Sequence, residues 1–394
     1  GKLVAGYDFI SELAVAADGN GRDSNTTDPG DFVTAGDLSD PLFDGCVVSN
    51  SSWHGTFIAG QIGAATNTNG VGVAAINWAA RIQPVRVSGK CGAIVSDLLD
   101  GTRWAAGLPV AGVTTNPTPA RVINLSFGGD AACSPAYQSM VDDVRDAGAL
   151  LVVAAGNNDG PLKRPADCKG VMAVGAVTRG GLKADYASFG TNVALSAPGG
   201  SGADGIYNID NAGTTTPGAN TYGEKQGTSF SAPQAAGVAS LMLAINPDLT
   251  PSALMSRMQA AARDWATVMT GAVACGPAGA GECRCTTGTC GAGLLDARVA
   301  LELASGPAAI IDRIGTVLPG ARIVLDGTAS VPTSGTITAY EWTQLSGPAV
   351  AISTPAQAST SQRLPNVEGR FVFQLKVTDG AGEGTDTVTV VAAY

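Results

Sequence analysis

Short apolar runs alternate with longer segments of helical periodicity through the middle of the chain. The runs occupy residues 82–87, 121–125, 149–155, 171–177 and 193–195, and the helical patterns occupy residues 96–106 and 134–147. Strands that alternate with helices of about ten to fifteen residues are typical of a parallel sheet covered by helices on both faces. We therefore predict an α/β fold, with reactive groups at the carboxyl ends of the strands.

The pattern changes near residue 304. Two predicted helices, at residues 252–263 and 294–304, are followed by the linker Ser305-Gly306-Pro307. Beyond it, alternating strands at 321–325, 338–343 and 371–377 are separated by turn residues, which favours an all-β, immunoglobulin-like sandwich. We predict two domains, residues 1–304 and residues 309–394.

Composition and charge limit the classes of partner. The formal net charge is −10 and the pI is about 4.6, and no lysine or arginine cluster is present, so we expect no nucleic-acid partner. The apolar runs are far too short to span a bilayer, so we expect no membrane partner. The eight cysteines favour disulfides and a secreted, extracellular protein. Gly1-Lys2-Leu3-Val4 has no signal-peptide features, so we expect any signal peptide to lie outside this sequence.

An acidic, glycine-punctuated loop follows the first apolar segment. It contains Asp18, Asp23, Asp28 and Asp31. Carboxylates at short spacing on a turning backbone can bind a hard cation, and calcium is the hard cation available outside cells. A solvated acidic turn is the alternative, because the spacing does not match an EF-hand loop.

Two stretches hold candidate catalytic groups. In the stretch Gly227 to Pro233, we expect Pro233 to open a helix, which places the hydroxyl of Ser229 at the helix N-terminus. A capping serine would have the same pattern. His54 is the only histidine and begins a small-residue helical segment, a position suited to a general base near neutral pH. A structural histidine is the alternative.

Several separated motifs together resemble the subtilisin-like serine proteases (subtilases). They are His54-Gly55-Thr56, Ala154-Ala155-Gly156-Asn157, the stretch Gly227 to Pro233, and residues 122–129. The resemblance runs from residue 1 to about residue 304 and is nearest to the cysteine-bearing secreted bacterial subtilases. It implies a subtilisin-like fold, serine endopeptidase activity, secretion as a pro-enzyme, and structural calcium. We expect a monomer whose partners are protein or peptide substrates.

The resemblance also implies roles for individual residues. Ser229 would attack the scissile carbonyl, His54 would accept and return the proton, and Asn157 would donate to the oxyanion. Substrate would bind along Ser126, Phe127 and Gly128 on one side, and along Ala154 and Gly156 on the other. Gln234 stands where many relatives have a histidine after the proline, a departure that does not touch these roles.

The aspartate that orients the histidine in this family is not identified here. In subtilases it ends the first central strand in an Asp-Thr/Ser-Gly turn, and no such turn precedes His54. Asp8 is a candidate substitute, but its Tyr-Asp-Phe segment resembles the next strand of the family. We expect the chain to be N-terminally incomplete, with the aspartate on a missing strand. The alternative is a catalytically inactive subtilase-like domain that binds peptides or polymers.

Cysteine pairs follow from the same resemblance. We expect Cys46 with Cys91, Cys133 with Cys168, Cys285 with Cys290 across a tight turn, and Cys275 with Cys283 as the remaining pair. A zinc site formed by the last four cysteines is the alternative. Residues 309–394 resemble PKD-like modules attached to secreted hydrolases, and Trp342 is expected in the core of this module.

Overall fold

A computed structural model describes residues 1–66, 70–202, 204–268, 273–276, 281–312, 314–333, 335–380 and 382–394. The chain forms two compact units, residues 1–240 with 263–295, and residues 241–262 with 296–394. The second unit therefore includes helical segments that precede residue 304. The predicted domain boundary between residues 304 and 309 stays a prediction.

A four-stranded parallel sheet in the order β3-β4-β5-β6 lies in the first unit. Its strands are Val122–Leu125, Leu150–Ala154, Met172–Val177 and Leu195–Pro198. Every residue of β4 and β5 is buried, as expected for strands covered on both faces. The parallel sheet and its helices confirm the predicted α/β class.

The helices α1 to α9 are Leu13–Ala16, His54–Gly63, Val95–Ala105, Pro135–Asp146, Thr228–Ile245, Pro251–Ala261, Trp265–Val268, Thr287–Cys290 and Ala297–Ala304. Helix α4 shows how the sequence specifies them. The side chain of Ser134 caps it by accepting from the N–H of Tyr137, and Pro135 takes the first position. Its buried residues, Tyr137, Met140, Val141 and Val144, share one face and join the core beneath the sheet.

The first predicted strand forms a separate, short parallel pair. Strand β1 (Tyr7–Asp8) pairs with β2 (Val85–Arg86), so the predicted strand at 82–87 does not join the four-stranded sheet. Asp8 is fully buried, and its carboxylate accepts from Arg86 Nη1 and from the N–H of Ile10. The pair is thus held by a buried salt bridge as well as by backbone hydrogen bonds.

An antiparallel hairpin leads into the serine stretch. It consists of β7 (Ile206–Asn211) and β8 (Asn220–Lys225). The sequence pattern does not predict this hairpin, because β8 has no buried residue and therefore little apolar alternation.

The described residues of the second unit form five antiparallel strands. Strands β9 to β13 are Arg322–Asp326, Ala339–Ser346, Ser359–Arg363, Gly369–Thr378 and Glu383–Ala392. They form two sheets, β10-β12-β13 and β11-β9. Trp342 is 2% exposed and packs with Phe371, Phe373 and Leu375. The antiparallel sheets around one core confirm the predicted sandwich, and Trp342 lies in that core.

Four disulfides join Cys46 to Cys91, Cys133 to Cys168, Cys275 to Cys283 and Cys285 to Cys290. These are the pairs expected from the sequence, so the last four cysteines do not form a zinc site. Among the helices of the described residues, none is both long enough and apolar enough to cross a membrane.

Candidate active site

The serine stretch begins α5 rather than preceding it. The helix starts at Thr228, and Pro233 lies inside it, so the expectation that the proline opens the helix is wrong. Gly227 makes the turn into the helix with φ of 147°, a conformation that favours glycine. Ser229 therefore lies in the first turn of α5, where backbone N–H groups have no partner within the helix.

Pro233 has a direct effect on Ser229. Proline has no N–H, so the carbonyl of the residue four positions earlier loses its helical partner. That residue is Ser229, and its carbonyl oxygen accepts from Ser126 Oγ at 2.7 Å instead. In return, Ser229 Oγ donates to the carbonyl oxygen of Ser126 at 3.2 Å. The proposed nucleophile and the end of β3 are thus joined by two reciprocal hydrogen bonds.

Asn157 is oriented by Thr228, the residue before Ser229. Its Oδ1 accepts from both the N–H and the Oγ of Thr228, each at 2.9 Å. With Oδ1 held in this way, Nδ2 lies beside Gly227 and remains a hydrogen-bond donor at the entrance to α5. Thr228 Oγ also accepts from the N–H of Gly156 at 3.1 Å. The sequence motif does not show this role of Thr228, because its partners Gly156 and Asn157 are about 70 residues away in the chain.

His54 is brought to the same place by α2, of which it is the first residue. Its ring lies 5.5 Å from the ring of Phe230, centroid to centroid, and Phe230 directly follows Ser229. Burial lowers the pKa of the imidazole, and the charge of Lys225 lowers it further, while Asp31 acts in the opposite direction. The neutral form of His54, which can accept a proton, is therefore favoured.

Asp8 does not take part in this arrangement. Its carboxylate is bound to Arg86 and Ile10 in the β1–β2 pair. Within the described ranges, the charged groups that act on the imidazole are Lys225 and Asp31, and Asp8 is not one of them. The geometry gives Asp8 a structural partner, in keeping with the interpretation of its segment as the second family strand.

The residues expected to bind substrate follow two neighbouring parallel strands. Ser126, Phe127 and Gly128 follow β3, whereas Ala154 ends β4 and Gly156 follows it. Gly156 has φ of 113°, and a Cβ there would lie 2.9 Å from Ser188 Oγ, so only glycine fits. The two segments end at the same edge of the sheet, beside Ser229 and Asn157.

The four carboxylates expected to bind calcium have different partners. Asp18 pairs with Arg86, Asp31 accepts from the N–H and Oγ of Ser52, and Asp23 and Asp28 accept from nearby residues of their own loop. Across the described ranges, no three of them have carboxylate oxygens within 4.8 Å of one another. In this arrangement the four do not fit one shared ion.

Comparison with known proteins gives two family matches and a similar solved structure. The model of the subtilase family matches residues 27–273, and a PKD-domain model matches residues 313–392. A solved structure described as proteases from Pseudoalteromonas arctica is 40% identical, with a TM-score of 0.69, and the match covers 77% of this chain and 85% of that one.

Two curated relatives are extracellular proteases. The extracellular protease of Xanthomonas campestris is 42% identical over 305 residues, which are 77% of this chain and 48% of that protein. The extracellular basic protease of Dichelobacter nodosus is 42% identical over 263 residues, which are 64% of this chain and 42% of that protein. The chain therefore spans less than half the length of these relatives.

Proposed function

Because the chain belongs to the subtilase family, we propose that it is a secreted serine endopeptidase that hydrolyses peptide bonds of proteins. The main support for the proposal is that Ser229, His54 and Asn157 lie together around the first turn of α5. These three groups come from separate parts of the chain and supply a nucleophile, a base and an oxyanion donor.

The chemistry assigned to these residues is acyl transfer. Ser229 Oγ attacks the scissile carbonyl while His54 accepts its proton, and His54 then returns the proton to the leaving amine. Asn157 Nδ2 and the N–H of Ser229 donate to the oxyanion. A water molecule, activated by His54, then releases the acyl group and regenerates Ser229.

The aspartate that orients His54 is proposed to come from sequence upstream of Gly1, since Asp8 is bound to Arg86. Loss of this carboxylate in a related triad lowers kcat by about 10⁴-fold. We therefore expect a form extended by its upstream residues to be far more reactive than residues 1–394 alone.

A fluorophosphonate probe tests the proposal directly. The extended protein should be labelled at Ser229, located by peptide mass spectrometry, and Ser229→Ala should abolish labelling. Ser231→Ala is a matched control, because Ser231 lies two residues away and its buried hydroxyl donates to the carbonyl of Ala197. If a folded, extended protein is not labelled, the inactive peptide-binding alternative is favoured.

Calcium binding is also proposed, because subtilases generally bind structural calcium. Because Asp18, Asp23, Asp28 and Asp31 do not fit one shared ion, each is tested separately as a ligand. If calcium binds the folded protein, it should raise the thermal midpoint, and EGTA should lower it. The thermal midpoint of Asp23→Asn should respond less to calcium, and an equal response would remove Asp23 from the ligand set.

A further inference from the structure

The four residues that lead into the imidazole, residues 51–54, are called the histidine turn below. The loop of the β7–β8 hairpin holds this turn: the N–H of Ser51 donates to the carbonyl of Thr214 at 2.8 Å, and Trp53 Nε1 donates to the carbonyl of Gly213 at 2.6 Å. Trp53 has φ of 48°, a left-handed conformation that a bulky residue adopts only when its surroundings fix it. The position of the imidazole therefore depends on the hairpin.

Lys225, the last residue of β8, contacts the same turn. Its Nζ donates to the carbonyl oxygen of Ser52 at 2.6 Å and to Asp210 Oδ1 at 2.9 Å. The ammonium group also lies 5.0 Å from the ring centroid of Phe57, a fully buried residue of α2. The side chain of Lys225 is 22% exposed, so water screens these contacts only in part.

The place of Lys225 in the chain gives these contacts a consequence for catalysis. Lys225 precedes Ser229 by four residues, and Ser52 precedes His54 by two. We propose that Lys225 is a positioning residue for His54, which fixes the histidine turn to the strand that leads into Ser229. This ammonium group thereby adds to the contacts that fix the spacing between His54 and Ser229, on which the rate of the proposed reaction depends steeply.

The charge of Lys225 adds an electrostatic effect. Among the described residues, Lys225 opposes protonation of the imidazole and Asp31 favours it. Asp210 is bound to the ammonium group, so we expect its negative charge to offset part of the effect of Lys225 on His54. Burial lowers the pKa of His54 and Lys225 lowers it further, so both favour the neutral imidazole.

This inference rests on the proposed role of His54 as general base, but its test does not require enzymatic activity. His54 is the only histidine in the chain, so its imidazole gives a single NMR titration curve. Lys225→Met removes the charge and the donors, and should raise the pKa of His54. Asp210→Asn keeps an oxygen acceptor for Lys225 but removes the negative charge, and should lower the pKa of His54.

The opposite signs separate an electrostatic effect of Lys225 from simple loosening of the structure, and the rate of labelling tests positioning. Loosening would expose the imidazole and move its pKa toward the ordinary value in both variants. Lys225→Arg, which keeps the charge and a donor, should restore the original curve. Lys90→Met is a matched control, because Lys90 also pairs with a carboxylate, that of Asp37 at 2.9 Å, and lies 4.4 Å from an aromatic ring. It should leave the curve of His54 unchanged.

Labelling of Ser229 in the extended protein gives the second measurement. At pH 8, above the ordinary pKa of histidine, Lys225→Met should slow labelling at least about tenfold, and Lys225→Arg should recover most of the rate. An unchanged titration curve in Lys225→Met, or shifts of the same sign in both variants, overturns the inference.

If Lys225→Met does not fold, Asp210→Asn decides alone: a lower pKa of His54 supports the inference, and an equal or higher pKa rejects it. If no form is labelled, the proposed function fails while the titration still tests Lys225.

Discussion

Single residues beside Ser229 determine the orientation of Asn157, the proposed oxyanion donor. Asn157 could present either end of its amide to the substrate, and only Nδ2 can donate. Thr228 decides between the two ends, because its N–H and its hydroxyl both donate to Oδ1. The threonine is fully buried, so water does not compete for these bonds.

Thr228→Val should therefore impair catalysis without blocking substrate binding. The variant keeps the backbone donor to Asn157 but loses the hydroxyl, so the amide is held by one hydrogen bond instead of two. We expect kcat for a peptide substrate to fall by about tenfold to a hundredfold, with little change in KM. This decrease in kcat is somewhat smaller than the decrease on removing an oxyanion donor itself, a reference value that comes from subtilisin. Thr228→Ser should retain most of kcat. A rise in KM at unchanged kcat would contradict this role.

The residues found from sequence and those missed differ in a physical way. Ser229, His54 and Asn157 each stand in a local motif that the sequence displays. Thr228 and Lys225 are defined by partners far along the chain, Asn157 and Ser52, and no local pattern shows such pairings. The helix start was misplaced because a proline usually occupies the first turn, whereas here Pro233 is the sixth residue of α5.

At the scale of elements, the β1–β2 pair depends on one buried ion pair. Each strand has only two residues, so backbone hydrogen bonds alone give the pair little stability. Arg86 adds a charged contact to Asp8, a second to Asp18, and a bond from Nη2 to the carbonyl of Ala16. The arginine thus ties the strand pair to the acidic loop and to α1.

Arg86→Met should destabilise the first unit strongly. It leaves the carboxylate of Asp8 buried without its cation, a change that costs about 3–5 kcal/mol. Chemical denaturation should show this as a lower midpoint. Asp8→Asn removes the buried charge instead and should lower the free energy of unfolding by less. At temperatures where this variant is folded, labelling of Ser229 should be little changed. Loss of labelling in folded Asp8→Asn would instead give Asp8 a role at the site.

Elements with strong apolar signals were predicted well, and weakly patterned ones were not. Strands β4 and β5 are buried throughout, so their continuous apolar runs are visible in the sequence. Strand β8, Asn220–Lys225, alternates between intermediate and exposed positions only, and its residues are mostly polar. Its pairing with β7 depends on register and tertiary contacts, which single-sequence periodicity does not encode.

At the scale of the whole molecule, the covalent cross-links are distributed unevenly. All four disulfides lie in the first unit, at positions from Cys46 to Cys290. The second unit contains none of the eight cysteines and is held by its own apolar core. The two units should therefore differ in their response to reduction.

A reducing agent should lower the unfolding temperature of the first unit and leave that of the second unchanged. The Cys46–Cys91 and Cys133–Cys168 bridges close loops of 45 and 35 residues. Each is expected to contribute about 2–5 kcal/mol to the free energy of unfolding. Calorimetry with and without reductant measures both transitions. Trp342 is the only tryptophan of the second unit, so comparison with Trp342→Phe assigns its fluorescence change. A single transition that shifts as a whole would show that the units unfold together.

The proline within α5 has a consequence for the hydroxyl group of Ser229. Ser229 belongs to a helix by its position, yet its carbonyl and hydroxyl are both bonded to Ser126 at the end of β3. In the proposed mode of binding, a peptide that adds to this edge as an extra strand lies against Ser126, the residue that holds Ser229. In the proposed mechanism, Ser229 Oγ therefore has to leave the carbonyl oxygen of Ser126 before its proton can pass to His54.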